Sequence, residues 1–552
     1  MARKSLIEIR RDTATNWTSV DPILAEGELG YETDTGVLKI GDGSTAWSSL
    51  PAFRTDSKLA IGVRWDSSSS DPTLTQINEF GETLSVMPSF FDGHPIFAGI
   101  KRCNVADDGT INAWYGDSSF AYDGTNGQVM VYVPKFYYKA WDVDDCKYWV
   151  VSDIAKPGYT LHPAFVKDSV EKDYFLWGAF EGSAFDVTAD AYEVNTIQVT
   201  AEPTSSGDLT ITLDGYYSFT VGILDADTIE GVVDKIVAAG NKTDDYGVLW
   251  TVAKTAADTL TYTSDTYGLK TTVTMPTANG VTSTITKTTS GAGGYVLADS
   301  AGVDFTVTTG DLLSSIAGVK SASGNLNDLT RASSRILAEN RGTGWQLIDF
   351  NQLSAIQLLF IIEYATLNSQ SIFEGVTDLA SGTGNASINT GYTAGIGTGA
   401  SDLGNTSGEV DVLSTQPFSY RGIENFYGNV WKWIDGFNIK ADNNPWLADH
   451  DYADDTFTDP YVDTGLTIGA VNGYVSNIAD YTPYFLPSDI TGGNSEKYFT
   501  DYYYQAAGNR VALFGGYCTD GLIAGAFYLS LTYAASSYSR YVGARIAFIP
   551  EV

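Results

Sequence analysis

Cysteine, histidine and basic residues are scarce in this sequence of 552 residues. Its cysteines are Cys103, Cys146 and Cys518, and their spacing indicates neither a disulfide framework nor a zinc site. None of the three histidines lies in a recognisable nucleophile motif. A histidine beside a proline, such as His162, is more often structural than catalytic. The sequence therefore gives little support to serine–histidine or zinc-dependent catalysis.

Positive charge is also in short supply. Lysine and arginine together number 32 against 67 aspartates and glutamates, which gives a formal net charge of −35. Proteins that bind nucleic acid neutralise phosphates with clustered Lys and Arg side chains, and no basic block is present here. We therefore expect no nucleic-acid partner. The simplest explanation of the high negative charge is that it keeps the protein soluble.

Long apolar runs are missing as well. The N-terminal residues MARKSLIEIRRDTATNW lack the apolar core of a signal peptide. The longest apolar run, residues 356–362, is far too short to span a bilayer. We expect a protein that is made in a cytoplasm, does not insert into membranes, and is released by a route other than the Sec pathway.

The residues in good supply are aromatic side chains and glycine, with 34 Tyr, 12 Trp and 56 Gly. Abundant glycine and few charges are typical of many short strands joined by tight turns, and abundant tyrosine favours recognition surfaces. The length is too great for one ordinary core. The composition therefore predicts a multidomain α+β protein rich in strands.

Residues 508–548 hold the most regular pattern of the chain. Apolar and polar residues alternate along residues 526–532, which predicts a strand with a buried and an exposed face. The predicted buried set is Phe527, Leu529 and Leu531, and the predicted exposed set is Tyr528, Ser530 and Thr532. Further tyrosines lie among Gly, Ala and Ser, as in antibody-like binding surfaces. An ordinary Tyr-rich β-protein would share this pattern, so the rest of the chain must decide.

Residues 1–53 form a small β-rich unit with three ordered segments, RRDTATNW, LAEGELGYETDTG and KIGDGSTAWSSLP. These segments resemble the N-terminal module of phage tail fibres and of the major tropism determinant family. The resemblance covers about a tenth of the chain. It implies attachment to other tail or baseplate proteins. A unit this small buries little alone, so we expect it to intertwine with identical copies as a homotrimer.

Residues 54–189 are predicted as the β-rich first part of a larger domain, and residues 190–300 as an inserted module. The insertion is rich in Thr and Val, and its flanks would join if it were removed. Within it, apolar residues from Ile229 to Val237 recur at helical spacing, with Asp227 as the predicted N-cap and Gly240 as the end. The insertion is therefore predicted to be a small α+β module.

Residues 301–552 are predicted to complete the larger domain. Thr330 and Asp349 are predicted to cap two helices, and the second is apolar nearly all round, which indicates a buried helix. With the strands GNVWKW and GARIAF, this region resembles the C-type lectin fold of formylglycine-generating enzymes and diversity-generating retroelement variable proteins. The residues that carry the resemblance are Gly422, Glu424, Gly428–Trp433, Gly508–Arg510 and Gly543–Phe548.

That resemblance implies that the terminal strands are a rigid frame and that residues 515–545 form a display face whose positions vary by adenine-templated mutagenesis. The predicted receptor-binding residues are Tyr517, Cys518, Thr519, Asp520, Leu522, Ile523, Tyr528, Ser530, Thr532, Tyr533, Tyr538 and Tyr541. Leu522 and Ile523 have an alternative explanation as core residues.

The same resemblance bears on enzymatic activity and on calcium. Formylglycine-generating enzymes need two nearby cysteines, and only Cys518 lies in the relevant region. The calcium motifs of sugar-binding lectins are absent, although an acidic loop could supply oxygen ligands to a structural calcium. Its carboxylates are Asp442, Asp449, Asp451, Asp454, Asp455 and Asp459. A solvated loop is the simpler interpretation, and no cofactor is predicted.

The sequence thus favours a non-enzymatic phage receptor-binding protein in the virion tail. It is predicted to bind a bacterial surface protein or glycan through residues 517–541. A structural tail or baseplate decoration protein is the first alternative. A capsule-degrading glycosidase is the second, since such an enzyme needs only two carboxylates.

Overall fold

The computed structural model describes most of the chain. The described residues are 9–35, 37–50, 52–53, 60–86, 88–214, 217–243, 248–267, 270, 272–289, 292–295, 310–319, 321, 329–379, 388–402, 417–467, 469, 471–539 and 541–550. The structure is mostly β with few helices, as the composition predicts. The predicted boundaries after residues 53 and 300 adjoin or fall among residues outside this description, so they stay predictions.

The helices are short apart from one. The α-helices are Ala14–Val20, Pro88–Gly93, Pro95–Gly99, Ile229–Ala238, Arg331–Glu339 and Phe350–Tyr364, and the 3₁₀ turns are Pro163–Phe165, Ser369–Ser371, Ala394–Ile396 and Gly521–Ile523. None of the helices described is long and apolar enough to cross a membrane.

The N-terminal module is a four-stranded sheet with one helix packed on it. Its strands are, in sheet order, Arg10–Asp12, Leu29–Glu32, Leu38–Ile40 and Ala52–Phe53. Trp17 of the helix stacks on Trp47 with ring centroids 4.0 Å apart, and Leu24 completes this small core. The module leaves Val20 and Ile23 exposed, which fits the expectation that it alone buries little apolar surface.

Residues 60–178 contribute two antiparallel sheets. The first has the strand order Thr160–Leu161, Tyr137–Val143, Cys146–Ser152, Ile61–Asp66 and Thr75–Asn78. The second has the order Trp345–Leu347, Ile546–Phe548, Tyr174–Gly178, Gln128–Pro134, Lys101–Val105 and Ile111–Trp114. In the second sheet Phe548 is in register with Leu176 on one side and Trp345 on the other. Strands from both sides of the predicted insertion therefore share one sheet.

The region predicted as an insertion is entered and left along one antiparallel pair. Strand Ser183–Val199 pairs at its start with Leu312–Ser314 and further on with Ala292–Tyr295, Ser283–Thr289 and Thr259–Tyr267. The remaining strands here are Gly207–Leu213, Tyr217–Ile223, Lys242–Thr243 and Leu249–Ala256. Apolar residues from Ile197 to Ile285 form a core cluster of their own. The helix predicted here is confirmed.

The N-cap of that helix was predicted incorrectly. Thr228, not Asp227, is the cap, and its hydroxyl accepts a hydrogen bond from the Gly231 N–H. The Asp227 carboxylate instead accepts from the Leu224 N–H at 2.7 Å and pairs with Lys235. Both residue types are favourable N-caps, so the sequence alone did not decide between neighbours.

The C-terminal region is built on the helix Phe350–Tyr364, which is buried along nearly its whole length as predicted. Asp349 forms a capping box with Gln352, and Thr330 caps the helix Arg331–Glu339. Arg335 of the latter helix donates to Asp435 at 2.8 Å. This contact ties the helix to strand Trp431–Ile439, which includes part of the predicted GNVWKW strand.

We call the eight-stranded sheet around that strand the C-terminal sheet. Its order is Val462–Asp463, Pro445–Leu447, Trp431–Ile439, Arg510–Phe514, Leu529–Tyr533, Tyr502–Gln505 and Asn472–Tyr474, with Val542–Gly543 paired in parallel to Trp431–Ile439. Smaller strands are Val166–Lys167, Val170–Glu171, Ser401–Asp402, Phe418–Tyr420, Ile423–Glu424, Asn477–Ile478 and Pro487–Asp489. The likeness of this region to a C-type lectin fold stays a prediction.

Candidate functional site

A chain of contacting aromatic rings crosses the C-terminal sheet and its adjoining loops. We call it the aromatic surface, and its half-buried members are Trp431, Tyr474, Tyr502, Tyr504, Tyr517, Tyr533 and Tyr541. Trp431 lies at the centre, with its ring centroid 4.5 Å from Tyr517, 5.9 Å from Tyr533 and 6.4 Å from Tyr541. Tyr528 links this group to Tyr504, since its ring lies 6.3 Å from Trp431 and 6.1 Å from Tyr504, so the partly exposed rings form one patch.

Strand Tyr502–Gln505 carries the other end of the aromatic surface. Tyr502 and Tyr504 are half-buried while Tyr503 between them is fully buried, as period two requires. Tyr502 contacts Tyr504 at 4.4 Å and Tyr474 at 5.0 Å between ring centroids. None of Trp431, Tyr474, Tyr502 and Tyr504 was among the predicted site residues. The alternating run DYYYQ carries the signal that would have found two of them.

The predicted exposure of Tyr528 and Ser530 is wrong, since both side chains are buried. Tyr528 lies under the aromatic surface, nearly parallel to Trp431 at 6.3 Å and 6.1 Å from Tyr504. Ser530 lies in the strand Leu529–Tyr533, between two paired strands. The predicted buried set, which includes Leu531, is confirmed. The strand therefore has a covered side where the alternation predicts an open one.

Cys518 is also buried, although it was placed among the exposed candidates. It belongs to a buried apolar cluster with Val376, Leu379 and Ile388. Its place in an apolar cluster is that of a core residue.

The remaining predicted site residues reach the surface to different degrees. Leu522 is 63% exposed, Tyr538 is 51% exposed, and Thr519 is exposed. Thr532, Tyr533, Tyr541, Asp520 and Ile523 are half-buried. Exposure of Leu522 removes the core-packing explanation for that residue, while Ile523 is intermediate.

Asp520 fixes the loop to the aromatic surface. Its Oδ2 accepts hydrogen bonds from the indole Nε1–H of Trp431 at 3.0 Å and from the backbone N–H of Tyr517 at 3.1 Å. Desolvation by burial is the main cause that raises the pKa of this carboxyl from 3.8 to about 7, against the two hydrogen bonds. Asp520 is thus a positioning residue at the centre of the predicted display face.

The loop of residues 515–525 is held by backbone contacts rather than by a strand. The Gly521 N–H donates to the Thr377 carbonyl at 2.7 Å, and the Leu379 N–H donates to the Cys518 carbonyl at 2.7 Å. Gly516 has φ +78° and lies so close to Ala524 that a Cβ there would be 2.4 Å from the Ala524 Cβ. These contacts hold the backbone of the loop in place, and Thr519 and Leu522 are its exposed side chains.

A buried carboxylate holds the far end of the same loop. Asp501 Oδ2 accepts a 2.7 Å hydrogen bond from the Phe527 N–H. Burial raises the pKa of Asp501 from 3.8 to about 7. Gly525 packs directly on this carboxylate, where a Cβ would lie 2.2 Å from Asp501 Oδ1. Only glycine fits there without a shift.

Beneath the aromatic surface lies a buried ion pair. Lys432 Nζ is 3.0 Å from Glu181 Oε1, and both side chains are almost wholly removed from solvent. Lys432 also donates to the carbonyls of Gly428 at 2.7 Å and Val430 at 3.0 Å. Burial lowers the pKa of Lys432 to about 8. The pair links the start of strand Ser183–Val199 to the strand that carries Trp431.

His94 and His162 have structural positions, as predicted for His162. Each caps a short helical turn and is followed by proline, and each Nδ1 accepts a backbone N–H at 3.3 and 3.2 Å respectively. Burial lowers the pKa of His162 to about 3. Both rings serve local backbone structure.

The carboxylates proposed as calcium ligands are not brought together. Within the part of the chain that the structure describes, no group of three His, Cys, Asp or Glu side chains is placed to hold a metal ion. Asp454 instead pairs with Arg331 and Arg335, at 2.6 and 2.9 Å. Two guanidinium groups therefore neutralise this carboxylate.

Comparison with known proteins gives the family of the N-terminal module. Residues 7–45 match the sequence family described as Major tropism determinant N-terminal domain. The N-terminal module of this chain is thus similar to the N-terminal domain of the major tropism determinant. The match includes the RRDTATNW and LAEGELGYETDTG segments and the first part of KIGDGSTAWSSLP, which confirms the resemblance over residues 7–45.

Two curated proteins and several solved structures are also similar. Hyaluronoglucosaminidases of Streptococcus pyogenes phages H4489A and H10403 are 48% and 43% identical over 44 residues, or 8% of this chain. The match covers 12% and 13% of those proteins, so the chain spans about an eighth of their length. The P3c and U1 variants of the Major Tropism Determinant align over 98% of this chain and 99% of theirs, at 12% identity and a TM-score of 0.21. A score that low does not establish a shared fold.

Proposed function

We propose that this protein is a receptor-binding protein of a phage tail and that the aromatic surface with its adjoining loop contacts a bacterial surface receptor. The observation that carries the proposal is the row of half-exposed rings from Tyr474 to Tyr541, held by strands of the C-terminal sheet and by its adjoining loops. Tyr and Trp give large contact area at low entropic cost, and they dominate the energetics of interfaces. The major tropism determinant N-terminal domain supports the assignment to a phage tail.

The proposed contact residues are Tyr517, Thr519, Leu522, Ile523, Thr532, Tyr533, Tyr538 and Tyr541, together with Trp431, Tyr474, Tyr502 and Tyr504. Tyr528, Ser530 and Cys518 act from below as support, because their side chains are buried. Asp520 positions Trp431. In this proposal the C-terminal sheet is a lectin-like frame. The side chains on its surface differ between variants of the protein, while the backbone that carries them stays the same.

The N-terminal module is proposed to join three copies and to attach them to other tail or baseplate proteins. Its exposed Val20 and Ile23 are candidates for burial between copies. Three weak receptor contacts per trimer then act together, since a linked second contact forms at high effective concentration. In this proposal the protein works in the virion tail and binds a surface protein or glycan without enzymatic activity.

Variation of the loop by a diversity-generating retroelement is part of the proposal. The backbone of the loop is anchored at Thr377 and Leu379, and Gly516 and Gly525 are tightly packed. Side chains at exposed positions such as Leu522 and Tyr538 can then be exchanged without a change of the backbone. The nucleotide sequence of codons 515–545 and its flanking genes test this directly. An adenine-rich template repeat beside a reverse-transcriptase gene is expected, and absence of both would exclude it.

The receptor contact is tested by Tyr517→Ala, Tyr538→Ala and Tyr541→Ala combined in the full-length chain. We expect the triple variant to lose binding to host cells while its trimeric mass by light scattering is unchanged. The matched control is Tyr115→Ala with Tyr192→Ala, which removes two exposed tyrosines outside the aromatic surface. Retained cell binding by the triple variant would refute the assigned surface. A trimer with no cell binding in the unmodified protein would favour the decoration protein.

A further inference from the structure

A polar cleft of about 410 Å³ opens beside the turn Gly521–Ile523. It is separate from the aromatic surface, although both involve the same loop. The lining side chains that matter here are Asn368, Gln370, Ser371, Glu374, Asp378 and Leu522. Its size falls within the range of small-ligand sites in proteins.

The wall of the cleft is held by an ordered hydrogen-bond network. Gln370 Nε2 donates to the carbonyls of Gly521 at 2.9 Å and Ala524 at 2.8 Å, which fixes the amide against the display loop. Asn368 Oδ1 accepts from the Ser371 N–H at 3.1 Å, and the Ser371 hydroxyl donates to the Asn368 carbonyl at 2.6 Å. Polar groups held in this way are preorganised, so little conformational entropy is lost when a ligand binds to them.

The chemistry of the lining selects for hydroxyl-rich ligands without negative charge. Amides, hydroxyls and carboxylates predominate, and the carboxylates of Glu374 and Asp378 lie on exposed residues. Among the residues that the structure describes, no Lys, Arg or His lines the cleft, and the whole chain carries a net charge of −35. Phosphate, uronate or sialate groups would therefore be repelled. Leu522, 63% exposed at this site, offers an apolar contact for the C–H face of a sugar ring.

We infer that the cleft binds one or two residues of a neutral or amino-sugar glycan. Carboxylate and amide oxygens accept from the sugar hydroxyls, the Ser371 and Asn368 groups bond to the ring substituents, and Leu522 covers one face. Glu374 and Asp378 favour a protonated amine over an anionic substituent. The inference deepens the proposed receptor-binding function, because it names the class of surface molecule that the display loop meets on this side.

The test uses the full-length protein and three saccharides of similar size. These are the disaccharide of N-acetylglucosamine, the disaccharide of glucosamine and a hyaluronan tetrasaccharide. Binding is measured by isothermal titration calorimetry and by saturation-transfer NMR. We expect the first two to bind and the anionic hyaluronan not to bind. Ser371→Trp should fill the cleft and weaken binding about tenfold or more, since overlap removes the contacts outright. Ser118→Trp, an exposed serine that does not line the cleft, is the matched control.

A second variant keeps the test sharp if Ser371→Trp does not fold. Glu374→Arg changes an exposed side chain and should weaken the glucosamine disaccharide more than the N-acetylated one. Three results would each overturn the inference. The first is hyaluronan binding as tight as that of the neutral sugar, and the second is no binding of either other sugar. The third is equal binding by the folded Ser371→Trp and Ser118→Trp proteins. Host-cell binding is measured in parallel. If the protein binds host cells but none of the saccharides, only the inference about the cleft is overturned. If it binds a saccharide but no host cells, the proposed receptor function is overturned.

Discussion

The indole Nε1–H of Trp431 donates a 3.0 Å hydrogen bond to the Asp520 carboxylate. This bond joins a strand of the C-terminal sheet to a loop whose exposed side chains include Leu522. It also puts an ionisable group with a pKa of about 7 at the middle of the aromatic surface. We therefore expect the stability of the protein to depend on pH through this contact.

Asp520→Asn should reduce the pH dependence of stability. The folded pKa is about 7 against 3.8 as the usual value, so the folded protein binds a proton that the unfolded chain releases in this interval. The free energy of unfolding therefore falls as pH rises from about 4 to about 7 through this group. The variant should lose this pH-dependent contribution, about 4 kcal/mol over the whole interval and about 2.5 kcal/mol of it between pH 5 and pH 8. Urea unfolding of both proteins at pH 5 and pH 8 measures it, and parallel slopes would contradict the assignment.

Gly516→Ala should destabilise the protein more than Gly521→Ala. Both glycines have positive φ, +78° and +58°, so each alanine costs about 1–2 kcal/mol of backbone strain. At Gly516 the new Cβ would also lie 2.4 Å from the Ala524 Cβ, whereas nothing lies within 4 Å at Gly521. The clash should add about 1–3 kcal/mol. Chemical unfolding compares the pair, and equal losses would mean that the loop relaxes around residue 516.

Lys432→Met should cost about 3–5 kcal/mol because it leaves the Glu181 carboxylate buried without its cation. The double variant Lys432→Met with Glu181→Met should recover much of this loss, since an apolar pair replaces a desolvated ion pair. Unfolding of the two single variants and the double variant completes a double-mutant cycle. A coupling energy near zero would show that the two side chains are stabilised by other neighbours.

Excision of residues 187–310, with a short glycine-rich turn in their place, should leave the rest of the protein folded. Phe185 is in register with Leu312, so the strand pair at the cut can be closed as a hairpin. The apolar residues from Ile197 to Ile285 form their own cluster and take little from the main core. Circular dichroism and cell binding of the shortened protein check this. An insoluble product would argue against an autonomous module.

Local patterns in the sequence predicted much of the fold. Asp349 followed by Gln352 predicts a capped helix, and the apolar run after it predicts burial, because both features are short-range. The choice between Asp227 and Thr228 as a cap was beyond the sequence, since both can accept the same backbone hydrogen bond.

The candidate site was predicted only in part. Alternation correctly gave the buried side of residues 526–532, but it gave no information on what covers the other side. Trp431 and Tyr504 contact Tyr528 from two other strands of the folded sheet. Such layering depends on contacts that are distant along the chain, and a period-two pattern does not encode them.

The strand Ile546–Phe548 lies between Trp345–Leu347 and Tyr174–Gly178 inside a sheet. Arg545 beside it donates to the Gly178 carbonyl at 2.8 Å across 367 residues of sequence. During synthesis this sheet stays unfinished until those residues leave the ribosome, and closing so long a loop is slow. A chain that ends just after the display loop would keep the residues proposed to contact the receptor. It would lack the strand Ile546–Phe548, which joins Trp345–Leu347 to Tyr174–Gly178 in this sheet.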